Sequence, residues 1–522
     1  MLVQHFLEKS AELYPDKVAL IVKEQRLTWR QVDEAANRLA HALRARGVRR
    51  GDRVAISLSN TAEAAIAIFG VMKADAAFVF INATTKPDKL ADLLNDCAAS
   101  ALVTAASRAA LAGELMARAP SVRCAVLCGP GADGVEADGR FLNWETIQAE
   151  CPADRPPTRN IALDLVCLIY TSGSTGLPKG VMTAHSNMIA AATSITTYVQ
   201  NRPDDIIINC LPFSFDYGLY QWIMTAQMGA TLVLENSFAF PHVMLKKMEK
   251  ERVTGFPGVP TIFALLLRTD LSPYDLSALR YITNTAAALP VRHIEELRDR
   301  FRGVRLYSMY GLTETKRTLY LPPDQLDIRP GSVGIAIPGT EVWLEDEAGR
   351  RLGPGEIGEL VVRGPHVMRG YWNNPEASAQ RFRPGPLLGE QVCYTGDLFT
   401  MDDEGYLYFV SRKDDMIKSR GEKVSPKELE EVLYKLDGVA EAAVVGAPDP
   451  ILGQTIVAFL VVSGARYAGR DIKRHCAQYL EDCLIPQHVI FRAELPKTLS
   501  GKIDRLQLKE EAASLVGAGP ER

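Results

Sequence analysis

In LIYTSGSTGLPKGVMTAHSN, Leu168 to Asn187, an apolar run breaks into a loop of glycine, serine and threonine, carries one lysine at Lys179, and turns toward a helix. A Gly/Ser/Thr loop leaving a strand offers backbone N–H groups and hydroxyls that can wrap a polyphosphate, and the lysine adds a mobile positive charge. The spacing departs from the Walker loop, where serine or threonine follows the lysine; here Gly180 follows Lys179.

The surrounding chain reads as α/β. LTWRQVDEAANRLAHALRARGVRRGDRVAISLS spells an amphipathic helix ending at Gly47, a turn at Gly51 and a β-rich run. Helix and strand alternate again in AAIAIFGVMKADAAFVFIN and KLADLLNDCAASALVTAA, as expected of helices covering a parallel sheet. GPGADGVEADGRF reads as a glycine-rich surface connection. After Ile337 the texture changes to short strands joined by Gly, Pro and Asp turns, which predicts a β-rich subdomain over about 338–411. Behind SRKDDMIKSRG, residues 411–421, lies a helix–strand–strand pattern. Its helix start combines Ser425 at the N-cap, Pro426 at the first helical position and Glu428 to complete a capping box. The expected fold class is therefore α/β: a large N-terminal domain, 1–411, of parallel and mixed sheets with helices, and a small mobile α+β domain, 412–522.

Composition narrows the function classes. The 522 residues are 47% hydrophobic and 23% charged, an ordinary globular balance with room for more than one core. Basic and acidic residues, 59 and 63, are interleaved, so no basic stripe can track a phosphate backbone and nucleic acid is excluded as main partner. The amino terminus lacks the build of a signal peptide and no apolar run is long enough to span a membrane, which predicts a cytoplasmic protein. Nine cysteines without framework spacing fit reduced thiols, and Cys124 and Cys128 read as buried thiols rather than a zinc site.

Four distant stretches join the loop: MYGLTETKR at 309–317, YTGDL at 394–398, SRKDDMIKSRGEKVSPKELE from 411, and LPKTLSGKIDR at 495–505. In content, order and spacing they resemble the core motifs of the adenylate-forming superfamily of acyl-CoA synthetases, peptide-synthetase adenylation domains and luciferases. The resemblance runs from LTWRQVDEAANRLA to Arg505. It implies attack of a carboxylate on the α-phosphorus of ATP, loss of pyrophosphate, and transfer of the acyl group from AMP to a thiol. Negative charge then builds on phosphate oxygens, which calls for fixed donors, a lysine and Mg2+. By resemblance, Thr171, Ser172, Gly173, Ser174, Thr175, Gly176 and Lys179 belong to the phosphate loop. Thr313 would contact the α-phosphate and Glu314 would hold the metal. Tyr310 would stack on adenine against the strand end with Ala286 and Ala287, and Asp397 with Arg412 would take the ribose. Lys502 would bridge substrate carboxylate and phosphate, Asp414 would be the hinge, and Gly421 would approach the thiol channel.

LPFSFDYGLYQW, 211–222, falls where the family lines its acyl pocket and names Asp216, Tyr217 and Tyr220 as substrate residues. Asp216 has two readings: partner to an amino acid's α-ammonium group, or turn cap and partner to a nearby base. Gln221 stands where an acid is common in amino-acid-activating relatives. For Lys316 and Arg317 the expectation is a surface ion pair, against contact with phosphates or a substrate carboxylate. His185 is either a substrate-side or a structural residue. No carrier domain follows Lys502, so the acceptor is diffusible: coenzyme A or the phosphopantetheine of a separate carrier protein. Three functions follow: a carboxylate–thiol ligase, a freestanding amino-acid adenylation enzyme, and a catalytically silent nucleotide-binding partner protein.

Overall fold

The computed structural model describes residues 1–131, 139–171, 178–285, 287, 289–419, 422–449, 452–464, 466–498 and 501–517. Among these the strands assemble into four sheets. One contains Phe141–Asn143, Cys124–Cys128, Ala99–Ala105, Arg53–Ser57, Ala77–Phe80, Leu165–Thr171 and Lys179–Ala184, in that spatial order. All neighbours are parallel until the last pair, where Leu165–Thr171 and Lys179–Ala184 run antiparallel with Thr171 opposite Lys179. Cys124 and Cys128 are buried in their strand, and burial pushes the Cys124 thiol up to about 11.

In the second sheet, the run Val18–Val22, Thr231–Leu234, Ile206–Asn209, Gly255–Gly258, Tyr281–Asn284 and Arg305–Tyr310 is parallel. Antiparallel strands finish both of its edges. Helices pack between the two sheets, and sequence explains their depth. Trp29–Ala45 starts at a capping box between Thr28 and Gln31 and ends where Gly47 takes φ 81°. Ala62–Lys73 is apolar on nearly every face, so it lies in the core, covered on all sides. Its last residue, Lys73, is buried because Asp33 at 2.8 Å, Asn37 at 2.7 Å and Glu8 at 3.1 Å satisfy the ammonium. Trp29 stacks on Trp222 of Asp216–Met228 at 5.5 Å, tying the helices together.

A third, antiparallel sheet is built entirely from Glu341–Glu345, Gly358–Arg363, Phe382–Pro384, Gln391–Met401 and Leu407–Arg412. Between Arg412 and Ile417 the chain passes to the fourth sheet, where Gly453–Val462 pairs antiparallel with Val439–Asp449 and parallel with His488–Arg492. Pro426–Leu433 and Gly469–Cys476 cover one face of it and Arg505–Gly517 the other. The expected capping box at Ser425 does not form. Ser425 occupies the N-cap, but its hydroxyl donates to the Val410 carbonyl at 2.7 Å, a tertiary bond that competes with the local one. None of the described helices is long and apolar enough to cross a membrane.

Candidate active site

The candidate site lies where the ends of several strands meet the carboxyl-terminal part of the chain. Strand Arg305–Tyr310 delivers the MYGLTETKR segment, which doubles back at once: Thr318 N–H bonds to Tyr310 O at 2.9 Å. Gly311 makes the fold-back possible, since a Cβ there would sit 2.3 Å from Lys316 O and 2.9 Å from Arg317 Cα. Lys316 closes the loop at φ 63°, a conformation a bulky side chain rarely adopts. The result overturns the surface reading of both basic residues. Lys316 is 1% exposed and Arg317 3% exposed.

Lys316 Nζ lies 3.3 Å from Asp216 Oδ2 and 4.0 Å from the centre of the Tyr220 ring. Burial holds the ammonium well below its ordinary range, with Asp216 opposing that shift. Asp216 thus pairs with a nearby base, one of the two arrangements open from sequence. Arg317 stacks its guanidinium 4.4 Å over Tyr217, whose hydroxyl bonds to the Thr283 hydroxyl at 2.6 Å and to the Thr283 carbonyl at 2.8 Å. The helix carrying Asp216, Tyr217 and Tyr220 is seated by Gly218, whose Cβ would meet the carbonyls of Leu211 and Pro212 at 2.5 and 2.6 Å. Gln221 donates to the Tyr217 carbonyl at 3.2 Å within that helix.

Tyr310 donates to Asp397 Oδ2 at 2.6 Å, and Arg412 Nε lies 3.7 Å from Asp397 Oδ1 across the register that sets the two residues opposite each other. Burial raises the Asp397 carboxyl against the pull of Arg412 and Tyr310, and burial with Asp397 drives the Tyr310 phenol up. Phe399 meets the Tyr310 ring edge-on at 4.9 Å. Glu314 is buried, accepts a hydrogen bond from the Tyr371 hydroxyl, and has Arg381 Nε at 3.9 Å. Arg381 passes over Gly396, at φ 69°, where a Cβ would come within 2.6 Å of its Nη1. Tyr371 and Arg381 carry no motif signal of their own and were not named from sequence; only the glycine of YTGDL marks that crossing.

Lys179 Nζ stands 5.4 Å over the Tyr371 ring, beside the Glu314 cluster. Thr313 is half-buried in the fold-back loop, and Thr171 closes the strand pair with its hydroxyl 3.5 Å from Lys179 O. Ala287 is exposed, and its carbonyl accepts from Asn284 Nδ2 at 3.3 Å. Ser172, Gly173, Ser174, Thr175, Gly176, Ala286 and Gly421 lie outside the described residues.

Lys502 reaches the same place from the far end of the sequence, with Nζ 5.7 Å over the Phe215 ring. The neighbouring Gly501 carbonyl accepts from the Thr261 hydroxyl at 3.4 Å. Burial first, then Arg412, lowers the Lys502 ammonium, while Asp216 and Asp397 raise it. His185 plays no part here. Its Nδ1 accepts from Val3 N–H at 3.2 Å, Nε2 is 3.4 Å from Asn160, and burial lowers it to about 4, which makes it a structural histidine.

The residues suit a nucleotide with magnesium. Mg2+ is held by one or two carboxylate oxygens together with substrate phosphates. Glu314 supplies such a carboxylate, and among the described residues both of its contacts fall on Oε1, which leaves Oε2 for a cation.

Residues 7–372 match the AMP-binding enzyme family and residues 428–502 match the AMP-binding enzyme C-terminal domain. The chain is 32% identical to the long-chain-fatty-acid–CoA ligase of Bacillus subtilis, over 98% of this chain and 94% of that protein. It is 33% identical to the feruloyl-CoA synthase of an Amycolatopsis species, over 95% and 96%. The crystal structure of the anthranilate CoA ligase AuaEII in complex with anthranoyl-AMP superposes with a TM-score of 0.89 at 29% identity, covering 99% of this chain and 98% of that one. Sequence match and superposition run the length of the same motifs that converge on the site, and the chain belongs to the family of AMP-binding enzymes.

Proposed function

We propose that this chain is an AMP-forming acid–thiol ligase of the cytoplasm: it activates a carboxylic acid with ATP to an acyl-AMP, releasing pyrophosphate, and transfers the acyl group to coenzyme A. The observation that carries this reading is the convergence of Lys502, near the carboxyl end, on the Phe215 ring, close enough to Asp216, Asp397 and Arg412 for their charges to act on its ammonium, though these residues come from widely separated parts of the chain. CoA ligases among the relatives, and solved relatives bound to ATP and to ATP with magnesium, support the same assignment.

Each residue then has a task that its geometry allows. Asp397 takes the ribose hydroxyls on a carboxylate already oriented by Tyr310, with Arg412 beside it. Tyr310 stacks on adenine with Phe399 behind it. Lys179 and the phosphate loop hold the β- and γ-phosphates, and Thr313 the α-phosphate. Glu314 holds magnesium, which when bound neutralises phosphate charge. Lys502 spans carboxylate and α-phosphate, where its charge lowers the barrier by stabilising the pentacoordinate phosphorus. For thiol transfer Lys502 must leave, so the residues after the Asp414 turn rotate as a unit. Glutamate, aspartate, arginine and lysine all in place count against a silent binding protein.

The amino-acid reading loses its anchor. An α-ammonium group needs a free carboxylate, and Asp216 already holds Lys316 at 3.3 Å. A carrier-protein phosphopantetheine remains a second candidate acceptor, chemically the same thiol arm as that of coenzyme A.

Pyrophosphate release trapped with hydroxylamine, over a panel of fatty, aryl, dicarboxylic and amino acids, tests the assignment. Turnover of at least one non-amino acid that depends on Lys502 is expected; silence across the panel with ATP still bound would remove the ligase reading, and activity confined to amino acids would restore the adenylation enzyme.

A further inference from the structure

The acyl end of the site holds one cation too many. Lys316 and Asp216 form a pair, while Arg317, equally buried, has no carboxylate within ion-pair distance among the described residues. Its Nη1 donates to the Lys316 carbonyl at 3.2 Å, its guanidinium rests on Tyr217, and its Nε–H has no acceptor. Guanidinium keeps its charge and presents five donors, and here its Nε–H is left unused in the core with no carboxylate beside the charge. Among the described residues the Tyr220 hydroxyl and the Lys316 Nζ over its ring are likewise buried without a hydrogen-bond partner, Lys316 keeping only its ion pair with Asp216. A buried unsatisfied donor is costly, and a buried unpaired charge more so. The chain nevertheless turns both basic residues inward through a strained φ of 63° at Lys316, the kind of conformation retained where a site needs it.

Position says what the fork is for. Lys502 Nζ is 5.7 Å from the Phe215 ring, that ring is 6.2 Å from Tyr217, and Tyr217 is 4.4 Å from Arg317. Two cations are therefore linked through two neighbouring aromatic rings, Phe215 and Tyr217. One meets the carboxylate that is activated. We infer that Arg317 binds a second carboxylate at the far end of the substrate, so that the acid activated is a short dicarboxylate rather than an alkyl-chain fatty acid. An alkyl tail would leave the guanidinium and the Tyr220 hydroxyl unsatisfied, whereas a carboxylate accepts two parallel N–H bonds from the fork. This inference rests on the proposed ligase activity and adds its substrate class.

The test compares dicarboxylic acids of four to six carbons with monocarboxylic acids of the same length, by pyrophosphate release, in the wild-type enzyme and in Arg317→Met and Arg317→Lys. A site built around a charged partner discriminates strongly against the analogue that lacks it. The wild type is expected to favour the dicarboxylates by about tenfold or more in kcat/KM. Arg317→Met should collapse that ratio toward one while KM for ATP holds, and Arg317→Lys should recover part of it. Monocarboxylates equal to or better than dicarboxylates in the wild type, or an Arg317→Met variant that lowers both classes alike, would overturn the inference while leaving the ligase reading intact. Should Arg317→Met fail to fold, the wild-type ratio alone still decides. No turnover of any acid would instead sink the ligase reading itself.

Discussion

If Lys502 spans carboxylate and α-phosphate as proposed, Lys502→Ala removes the charge that stabilises the transition state, and adenylation should fall by about 10²–10³-fold. Binding of ATP, assigned in the same proposal to Asp397 and the phosphate loop, should change little; single-turnover acyl-AMP formation and equilibrium nucleotide binding separate the two effects. Asp216 presents a different case. Its partner Lys316 is fully buried, so Asp216→Asn strands a cation in the core and should cost about 3–5 kcal/mol. Adding Lys316→Met to that variant should restore most of the loss, because an apolar side chain of similar length needs no counter-ion. Urea unfolding of the single and double variants reads this directly, and a single-variant loss below about 1 kcal/mol would mean that water reaches the pair.

The fold-back after Arg305–Tyr310 depends on one glycine. Gly311→Ala places a methyl 2.3 Å from the Lys316 carbonyl, a contact that backbone alone would have to relieve. The variant should lose acid activation and unfold at lower temperature, with both losses tracking displacement of the Lys316–Arg317 segment; near-normal activity would show that the loop has slack. Two buried histidines, one heading a helix and one beside the β-sheet subdomain, set a pH dependence. Burial lowers His185 and His366 to about 4. Between that value and the ordinary histidine range the unfolded chain binds more protons than the folded one, so stability rises with pH there and is lost on acidification from about 6.5 toward 4. Each histidine contributes a slope of at most about 1.4 kcal/mol per pH unit. Denaturant midpoints measured from pH 7 to 5 should show it, and His185→Gln should reduce the slope, leaving the share of His366.

Across the whole molecule, the carboxyl-terminal part meets the large part in two places among the described residues: near the chain crossing, where Ser425 and Lys427 bond the Val410 and Phe409 carbonyls, and along a second seam of Gly501 on Thr261, Lys502 over Phe215, Arg268 with Ser463 at 3.3 Å, His293 against Tyr434 and Arg292 with Asp437 at 3.7 Å. The second seam is made of polar and ring contacts rather than a shared apolar core, which suits the domain rotation proposed between the two half-reactions. Asp414 sits in the turn where the chain passes between sheets, its carbonyl accepting from Lys509 Nζ at 3.3 Å. Asp414→Pro should stiffen that turn, keep acyl-AMP formation within a few-fold, and slow thioester formation by tenfold or more. Equal slowing of both half-reactions would argue against a hinge there.

The order of helices and strands and the placing of the motifs were legible in the chain, because apolar periodicity and glycine, proline and capping residues act over a few neighbours. Gly47 closes its helix as read, and LIYTSGSTGLPKGVMTAHSN leaves a strand and enters a helix, but only after a second strand, Lys179–Ala184, that was not read. The fate of side chains that choose between local and distant partners was not legible. Ser425 had a capping role available and took the Val410 carbonyl instead. Lys316 and Arg317 look like surface residues by type, and only the close approach of the loop to Gly311, together with Asp216 arriving from a helix a hundred residues earlier, draws them inside. Reaction class follows from motifs whose chemistry is carried by residue type and spacing. Substrate follows from where charges end up relative to one another in the core, and that is settled by packing between segments that no local pattern connects.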